Sequence, residues 1–210
     1  MLLQIIRHQK VTTHDLSVRA EATFRSLAMP SFLLIVLHSL CSIIALNLGF
    51  SSSQDWPPLY GSPLQAYNLR RFYHKFWHQL MRKAFTMNAA AITRNVPRLR
   101  NHSVLDRSCV VMLCFLMSGL MHTASGWLGG PCGSWRPLCV CLATGIAILL
   151  EQAFQAGYAG LHKRFGIRWF TLEMIFWRSV GYCWVAAWWL EVLPWSVYPA
   201  TRCYVRYLAC

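Results

Sequence analysis

Four stretches of this sequence are long and apolar enough to cross a lipid bilayer as single helices. A membrane-spanning helix needs about 20 mostly apolar residues, and the stretches cover residues 31–49, 108–127, 138–157 and 172–193. Their ionisable side chains are His38, His122, Glu151, Glu173, Arg178 and Glu191. Because lipid-exposed backbone must satisfy its own hydrogen bonds, the predicted fold class is all-α, a polytopic transmembrane bundle of about four spans.

The composition supports a membrane protein and excludes several other classes. Charged residues make up 13% of the chain and hydrophobic ones 56%, whereas soluble domains carry about 25% charged residues. An intrinsically disordered chain needs low hydrophobicity. The nine cysteines are an odd number and mostly lie in apolar runs, which argues against a disulfide-stapled domain.

Basic residues exceed acidic ones by 13, and their distribution predicts the topology. The connection 50–107 holds nine of them, whereas 128–137 holds only Arg136. Since cytoplasmic loops are enriched in Lys and Arg, we expect 50–107 and 158–169 to face the cytosol. Basic residues interleaved with membrane-length segments disfavour nucleic acid as a partner. The predicted organisation is a polar N-terminal segment at 1–30, a membrane domain at 31–193 and a C-terminal tail at 194–210.

One basic segment, residues 63–83, is predicted to form an amphipathic helix. At 100° per residue, four cationic or imidazole side chains fall within about 60° of one another, and apolar side chains lie opposite. The first set is Arg71, Lys75, His78 and Arg82, and the second is Leu69, Phe72, Tyr73, Phe76 and Leu80. Two interpretations stay open: a helix lying on the cytosolic leaflet, and a cationic face that binds phosphates of a nucleotide-bearing cosubstrate.

The same segment contains two histidines at a metal-ligand spacing. His74 and His78 are four residues apart, but Lys75 stands where a zinc-binding H-E-x-x-H helix has its glutamate. A cation at that position opposes metal binding, so no metal site is predicted.

His122 lies deep in the second predicted span. Ionisable residues inside membrane helices are costly and often functional, and a neutral imidazole can accept a proton. Ser118 and Ser125 share its helix face, while Gly119 and Gly126 allow a neighbouring helix to approach closely. The alternative is a histidine that only hydrogen-bonds between helices.

Three motifs follow one another in a recognisable order: WPPLYGSP at 56–63, LRRFYHKFWHQLMRK at 69–83 and SGLMH at 118–122. Together they resemble the wax synthase branch of the membrane-bound O-acyltransferase superfamily. The sequence is most similar to the fungal members that acetylate terpenoid and meroterpenoid natural products. The resemblance covers residues 56–126 clearly and continues more loosely to about 193.

The resemblance implies the residues of the site. The buried histidine of the family, taken as the catalytic base, corresponds to His122, and the F-W-H-Q motif corresponds to Trp77, His78 and Gln79. Thr123 replaces the acid that usually follows the buried histidine. Family members also have further spans before the W-P-P element, which begins here at Trp56, so an N-terminally shortened chain is expected.

The implied activity is transfer of acetyl from acetyl-CoA to a hydroxyl of a terpenoid or meroterpenoid, in a multi-pass protein of the endoplasmic reticulum membrane. His122 and His78 are the predicted catalytic residues, supported by Ser118, Gln79 and Trp77. The predicted coenzyme-binding residues are Arg71, Lys75 and Arg82. The expected partners are acyl-CoA, a lipophilic alcohol that arrives from the bilayer, and membrane lipids.

Two other functions are alternatives to acyl transfer. The chain could be a catalytically inactive, truncated membrane protein or a subunit that stabilises a partner. A di-iron hydroxylase or desaturase needs clustered histidines, whereas most histidines here are scattered singly. These are His8, His14, His38, His102 and His162.

Overall fold

The described part of the chain is helical and contains no strand, which confirms the predicted all-α class. The computed structural model describes residues 12–77, 79–95, 103–128, 134–165, 178–190 and 192. We number the main helices α1 (Thr13–Asn47), α2 (Arg82–Asn95), α3 (Val104–Leu128), α4 (Arg136–Phe165) and α5 (helical residues 178–190).

Three helices are long and apolar enough to cross a membrane: Leu16–Asn47 in α1, Val104–Leu128 in α3 and Arg136–Gly160 in α4. They contain the second and third predicted spans and residues 31–47 of the first. α1 begins well before residue 31 and continues through Pro30, so part of the predicted polar N-terminal segment is helical. Of the fourth predicted span, residues 178–190 are helical, while 172–177, 191 and 193 lie outside the described residues.

Helices α3 and α4 form an antiparallel pair that packs through small residues. A Cβ on Gly119 would lie 2.9 Å from the Cα of Leu138, and one on Gly145 would lie 3.0 Å from the sulfur of Met112. Small residues let membrane helices approach this closely. The predicted role of Gly119 is therefore confirmed, whereas no described residue comes within 4 Å of a Cβ built on Gly126.

Helix α2 is joined to the start of α3 by a buried hydrogen bond. The hydroxyl of Thr93 donates to Oδ1 of Asp106 over 2.8 Å, and both side chains are buried. The backbone N–H of Asp106 donates to the hydroxyl of Ser103, which satisfies one of the free amides at the helix N-terminus. The pair fixes α2 against the first turn of α3.

The prediction of one continuous helix over 63–83 is wrong. The chain instead forms three short pieces before α2 begins at Arg82. These are a 3₁₀ turn at Pro63–Gln65, a helical turn at Leu69–Arg71 and a π-helical turn at Phe72–Phe76. The side chain of Asn68 accepts from the N–H of Arg71 over 2.7 Å, which begins a new helical turn. The helical segment ends where the carbonyl of Phe76 accepts from the N–H of Gly61 and the N–H of Gln79 donates to the carbonyl of Leu59.

The core joins this broken segment to α4 and α5. Its buried members are Ala66, Leu69, Phe72, Ala147, Ile148, Val185 and Trp189. Lys75 and Arg82 are exposed as predicted. Leu80 of the predicted apolar face is exposed as well, so the separation of apolar and cationic side chains is kept only in part. The core therefore holds the second motif against the apolar helices.

Candidate functional site

The first two motifs fold against each other. The N–H of Gly61 donates to the carbonyl of Phe76 over 3.0 Å, and the ring of Tyr60 meets the ring of Trp77 at 5.9 Å. A Cβ on Gly61 would lie 1.8 Å from the carbonyl oxygen of Lys75. The glycine of WPPLYGSP is therefore required because the two backbones touch there.

Tyr73 connects the second motif to the helix that carries the third. Its ring packs edge-on against Phe115 of α3 at 5.0 Å, and its phenol lies beside Thr144 and Cys141 of α4. Cys141 in turn contacts the hydroxyl of Ser118. Burial raises the pKa of the Tyr73 phenol, so the group stays a hydrogen-bond donor at physiological pH.

His122 lies one helical turn beyond Ser118. Its side chain is exposed, and among the described residues none hydrogen-bonds to the imidazole. The neighbouring Thr123 is 1% exposed, and its hydroxyl has no hydrogen-bond partner in the described part of the chain. His78 lies outside the described residues.

Trp77 and Gln79 hold the end of the π-helical turn. The ring of Trp77 stacks on Phe72 at 5.4 Å. The side-chain nitrogen of Gln79 donates to the carbonyls of Tyr73 and Trp77, and its oxygen accepts from Arg82 over 2.7 Å. The amide of Gln79 is thus occupied by groups of its own segment.

The three predicted coenzyme-binding cations do not form one surface. Arg71 lies over the ring of Tyr67, with its Cζ 4.5 Å from the ring centre, and Lys75 is exposed. Arg82 instead reaches His74, where its Nη2 lies 2.7 Å from Nε2. A guanidinium can only donate, so His74 accepts in its neutral form. Burial and the positive charge of Arg82 lower the pKa of His74.

A cavity of about 930 Å³ lies between α4, α5 and the loop before Leu69. Glu151 on its wall accepts from the N–H of Leu69 over 2.9 Å, and Arg178 lies over the ring of Tyr67. The sequence marked Glu151 and Arg178 only as polar residues within apolar spans. A single carboxylate in a membrane helix was the available signal, but its backbone partner is 82 residues away.

Comparison with known proteins shows which family the chain resembles. Residues 56–142, which hold all three motifs, match the model of the membrane bound O-acyl transferase family. The acetyltransferase atnC of an Arthrinium species is 36% identical over 202 residues, which is 91% of this chain and 44% of that protein. The matched segment therefore resembles the membrane bound O-acyl transferase family.

Two further relatives of this chain carry similar names. Acetyltransferase TRI7 of Fusarium sporotrichioides is 34% identical over 79% of this chain and 38% of its own length. Acetyltransferase nanB of Aspergillus nanangensis is 32% identical over 90% of this chain and 45% of its own length. The chain thus spans less than half the length of these relatives. No solved structure matches it.

The family match and the three apolar helices together make this chain a membrane protein. Within the described ranges, no group of three or more His, Cys, Asp and Glu side chains could hold a metal ion.

Proposed function

We propose that this chain is a membrane-bound O-acetyltransferase that moves acetyl from acetyl-CoA to a hydroxyl of a terpenoid or meroterpenoid. The observation that carries the proposal is the convergence of the three motifs, in which the second motif reaches α3 and α4 through Tyr73. Relatives named acetyltransferases, 32–36% identical to this chain, support the acetyl group. An acyl-CoA donor is the activated acyl source that such a reaction requires.

His122 is the general base of the proposed reaction. Its neutral imidazole removes the proton of the acceptor hydroxyl as the oxygen attacks the thioester carbonyl, which forms a tetrahedral intermediate. The intermediate collapses to the acetyl ester and expels the coenzyme A thiolate, which takes the proton from the imidazolium. A well-placed general base accelerates such a step about 10²–10⁴-fold. Ser118, one helical turn before His122, supports the site through its contact with Cys141 of α4.

The second motif supplies the remaining polar groups of the proposal. His78 donates to the developing oxyanion, a role in which one hydrogen bond contributes about 2.7–4 kcal/mol. Gln79 and Trp77 act as positioning residues, because the Gln79 amide is engaged within its own segment. Arg71, Lys75 and Arg82 attract the coenzyme phosphates from the cytosolic side.

The proposed topology sets the distance that the donor must cover. If residues 50–107 face the cytosol in the endoplasmic reticulum membrane, α3 runs inward from Ser108 to His122. At 1.5 Å per residue this places His122 about 21 Å below the start of the span. The pantetheine arm carries the thioester to that depth, and the lipophilic alcohol arrives laterally from the bilayer.

The test uses microsomes that contain the full chain, labelled acetyl-CoA and a panel of hydroxylated terpenoids. His122→Gln should abolish transfer, whereas the matched control His38→Gln, in α1, should retain it. Transfer that survives His122→Gln would remove this residue from the mechanism.

The alternative is a non-catalytic subunit. The exposed His122 ring, which has no hydrogen-bond partner among the described residues, is the observation in its favour. Absence of transfer by the inserted wild-type chain with the whole panel would select this alternative.

A further inference from the structure

Two arginines from distant parts of the chain share the ring of Tyr67. The Cζ of Arg71 lies 4.5 Å from the ring centre, and the Cζ of Arg178, on α5, lies 5.2 Å from it. Tyr67 also meets the ring of Tyr182 edge-on at 6.3 Å. The aromatic ring therefore contacts two guanidinium groups that come from separate elements, each in a cation–π contact.

The positive charge of this pair is not neutralised by the described residues. Arg71 donates from Nε to the carbonyl of Gln65 over 3.3 Å, which uses one of its five donors. No described carboxylate pairs with Arg71 or Arg178. Glu151, in the same cavity, accepts from the N–H of Leu69 and lies beside Arg70. Like charges repel each other, so a bound anion would stabilise both guanidinium groups on this ring.

The cavity next to the pair is mostly apolar. Tyr67 and Arg178 lie on its wall, and the neighbouring wall consists of side chains such as Ile146, Leu150, Phe154 and Trp184. A volume of about 930 Å³ lies in the range of sites for small organic ligands, about 300–1,000 Å³. The cavity thus combines one cationic side chain at its wall, Arg178, with an apolar interior.

We propose that Arg71, Tyr67 and Arg178 bind a phosphate group of an amphiphilic ligand whose less polar part lies in the cavity. Arginine forms bidentate hydrogen bonds with phosphate oxygens, and the two guanidinium groups approach from separate elements. Arg178 joins this site although it lies more than 90 residues beyond the predicted basic segment.

The phosphate has two possible sources, acetyl-CoA and an anionic phospholipid headgroup. Leu138 of α4 packs beside Gly119 of the third motif. At a rise of 1.5 Å per residue, Glu151 at the cavity lies about 20 Å further along α4. A donor whose phosphates and reactive carbonyl are far apart fits that separation, so the geometry favours acetyl-CoA. This choice of source rests on the proposed function, whereas phosphate binding itself does not.

The first arm of the test measures equilibrium binding of labelled acetyl-CoA to the full chain in nanodiscs of uncharged phosphatidylcholine. Arg71→Gln and Arg178→Gln should each weaken binding about tenfold or more, because each variant loses charge-assisted hydrogen bonds to the phosphate. Arg178→Lys should lose less, because it retains the charge. The matched control Arg94→Gln, at an exposed position of α2, should bind as wild type does.

The second arm places the same variants in nanodiscs that contain phosphatidic acid and phosphatidylcholine. Native mass spectrometry of the released protein then measures how much phosphatidic acid each variant retains. Unchanged acetyl-CoA affinity with lost phosphatidic acid retention would assign the site to a lipid headgroup. Wild-type behaviour of both glutamine variants in both arms would overturn the proposal, as would an equal loss in Arg94→Gln. Binding can persist in His122→Gln, so failure of the proposed catalysis is distinguishable from failure of this site.

Discussion

Gly181 on α5 lacks a side chain because a backbone carbonyl occupies the place of its Cβ. A Cβ there would lie 1.9 Å from the carbonyl oxygen of Tyr67, and backbone cannot move aside as a flexible side chain can. Gly181→Ala should therefore lower the free energy of unfolding by about 1–3 kcal/mol or more, measured by thermal unfolding in detergent.

Gly157 of α4 is the matched control, since nothing among the described residues lies within 4 Å of its Cβ position. Gly157→Ala should be neutral or stabilise the helix by up to about 1 kcal/mol. Equal unfolding temperatures for the two variants would contradict the close approach of α5 to Tyr67.

His74 gives the fold a pH dependence. Its neutral ring accepts from Arg82, and burial with the surrounding cations lowers its pKa from 6.5. The unfolded chain therefore takes up this proton at higher pH than the folded chain, so the stabilisation is present above 6.5 and is lost as pH falls through the lowered value. Unfolding temperature should fall between pH 7.5 and 5, and His74→Gln should show a smaller fall.

The sequence identified single residues where their chemistry was unusual for their surroundings. Gly119 is identified because a glycine is conspicuous in an apolar helix, and the role of His122, which rests on the same kind of signal, stays a prediction. Tyr67 was missed because an isolated tyrosine before a basic run carries no signal of its own. Its importance arises from Arg178, which only the fold brings to the ring.

At the level of elements, the largest error is the helix predicted over 63–83. Its 3.6-residue periodicity correctly separated buried Leu69 and Phe72 from exposed Lys75 and Arg82. Periodicity cannot detect hydrogen bonds from Gly61 and Gln79 to distant backbone groups, and these bonds break the helix. A π-helical turn inside a motif is common at functional sites.

Glu151 stabilises the first helical turn of the second motif. Its carboxylate accepts from the N–H of Leu69, a residue that is fully buried. Glu151→Ala leaves that N–H without its acceptor, which should cost about 1–3 kcal/mol, whereas Glu151→Gln keeps an acceptor oxygen and should cost less. Hydrogen exchange of a peptide that contains Leu69 should rise in the alanine variant; unchanged exchange would contradict the role of this carboxylate.

For the whole molecule, length and hydropathy were sufficient to predict an all-α membrane protein and three of its apolar helices. They did not predict that α1 begins at Thr13, because its polar first turns lack the apolar signal that marked residues 31–49. They also did not predict the cavity between α4 and α5, because pairing of helices depends on side-chain contacts between distant segments.

Topology gives a prediction that concerns the whole chain. If the segment after α2 is cytosolic, a glycosylation acceptor in a flexible insert at 96–100 should stay unmodified, and the same insert at 129–133 should be glycosylated. The gel shift removed by an endoglycosidase reports the modification in microsomes. The reverse pattern would invert the assigned orientation and put the coenzyme-binding side in the lumen.

The rate of labelled acetyl transfer from acetyl-CoA to a hydroxylated terpenoid tests the central claim most directly. We expect the wild-type chain to form the acetyl ester and His122→Gln to be slower by about 10²–10⁴-fold, with acetyl-CoA binding retained. Equal rates for the two proteins, at equal membrane insertion, would contradict the account.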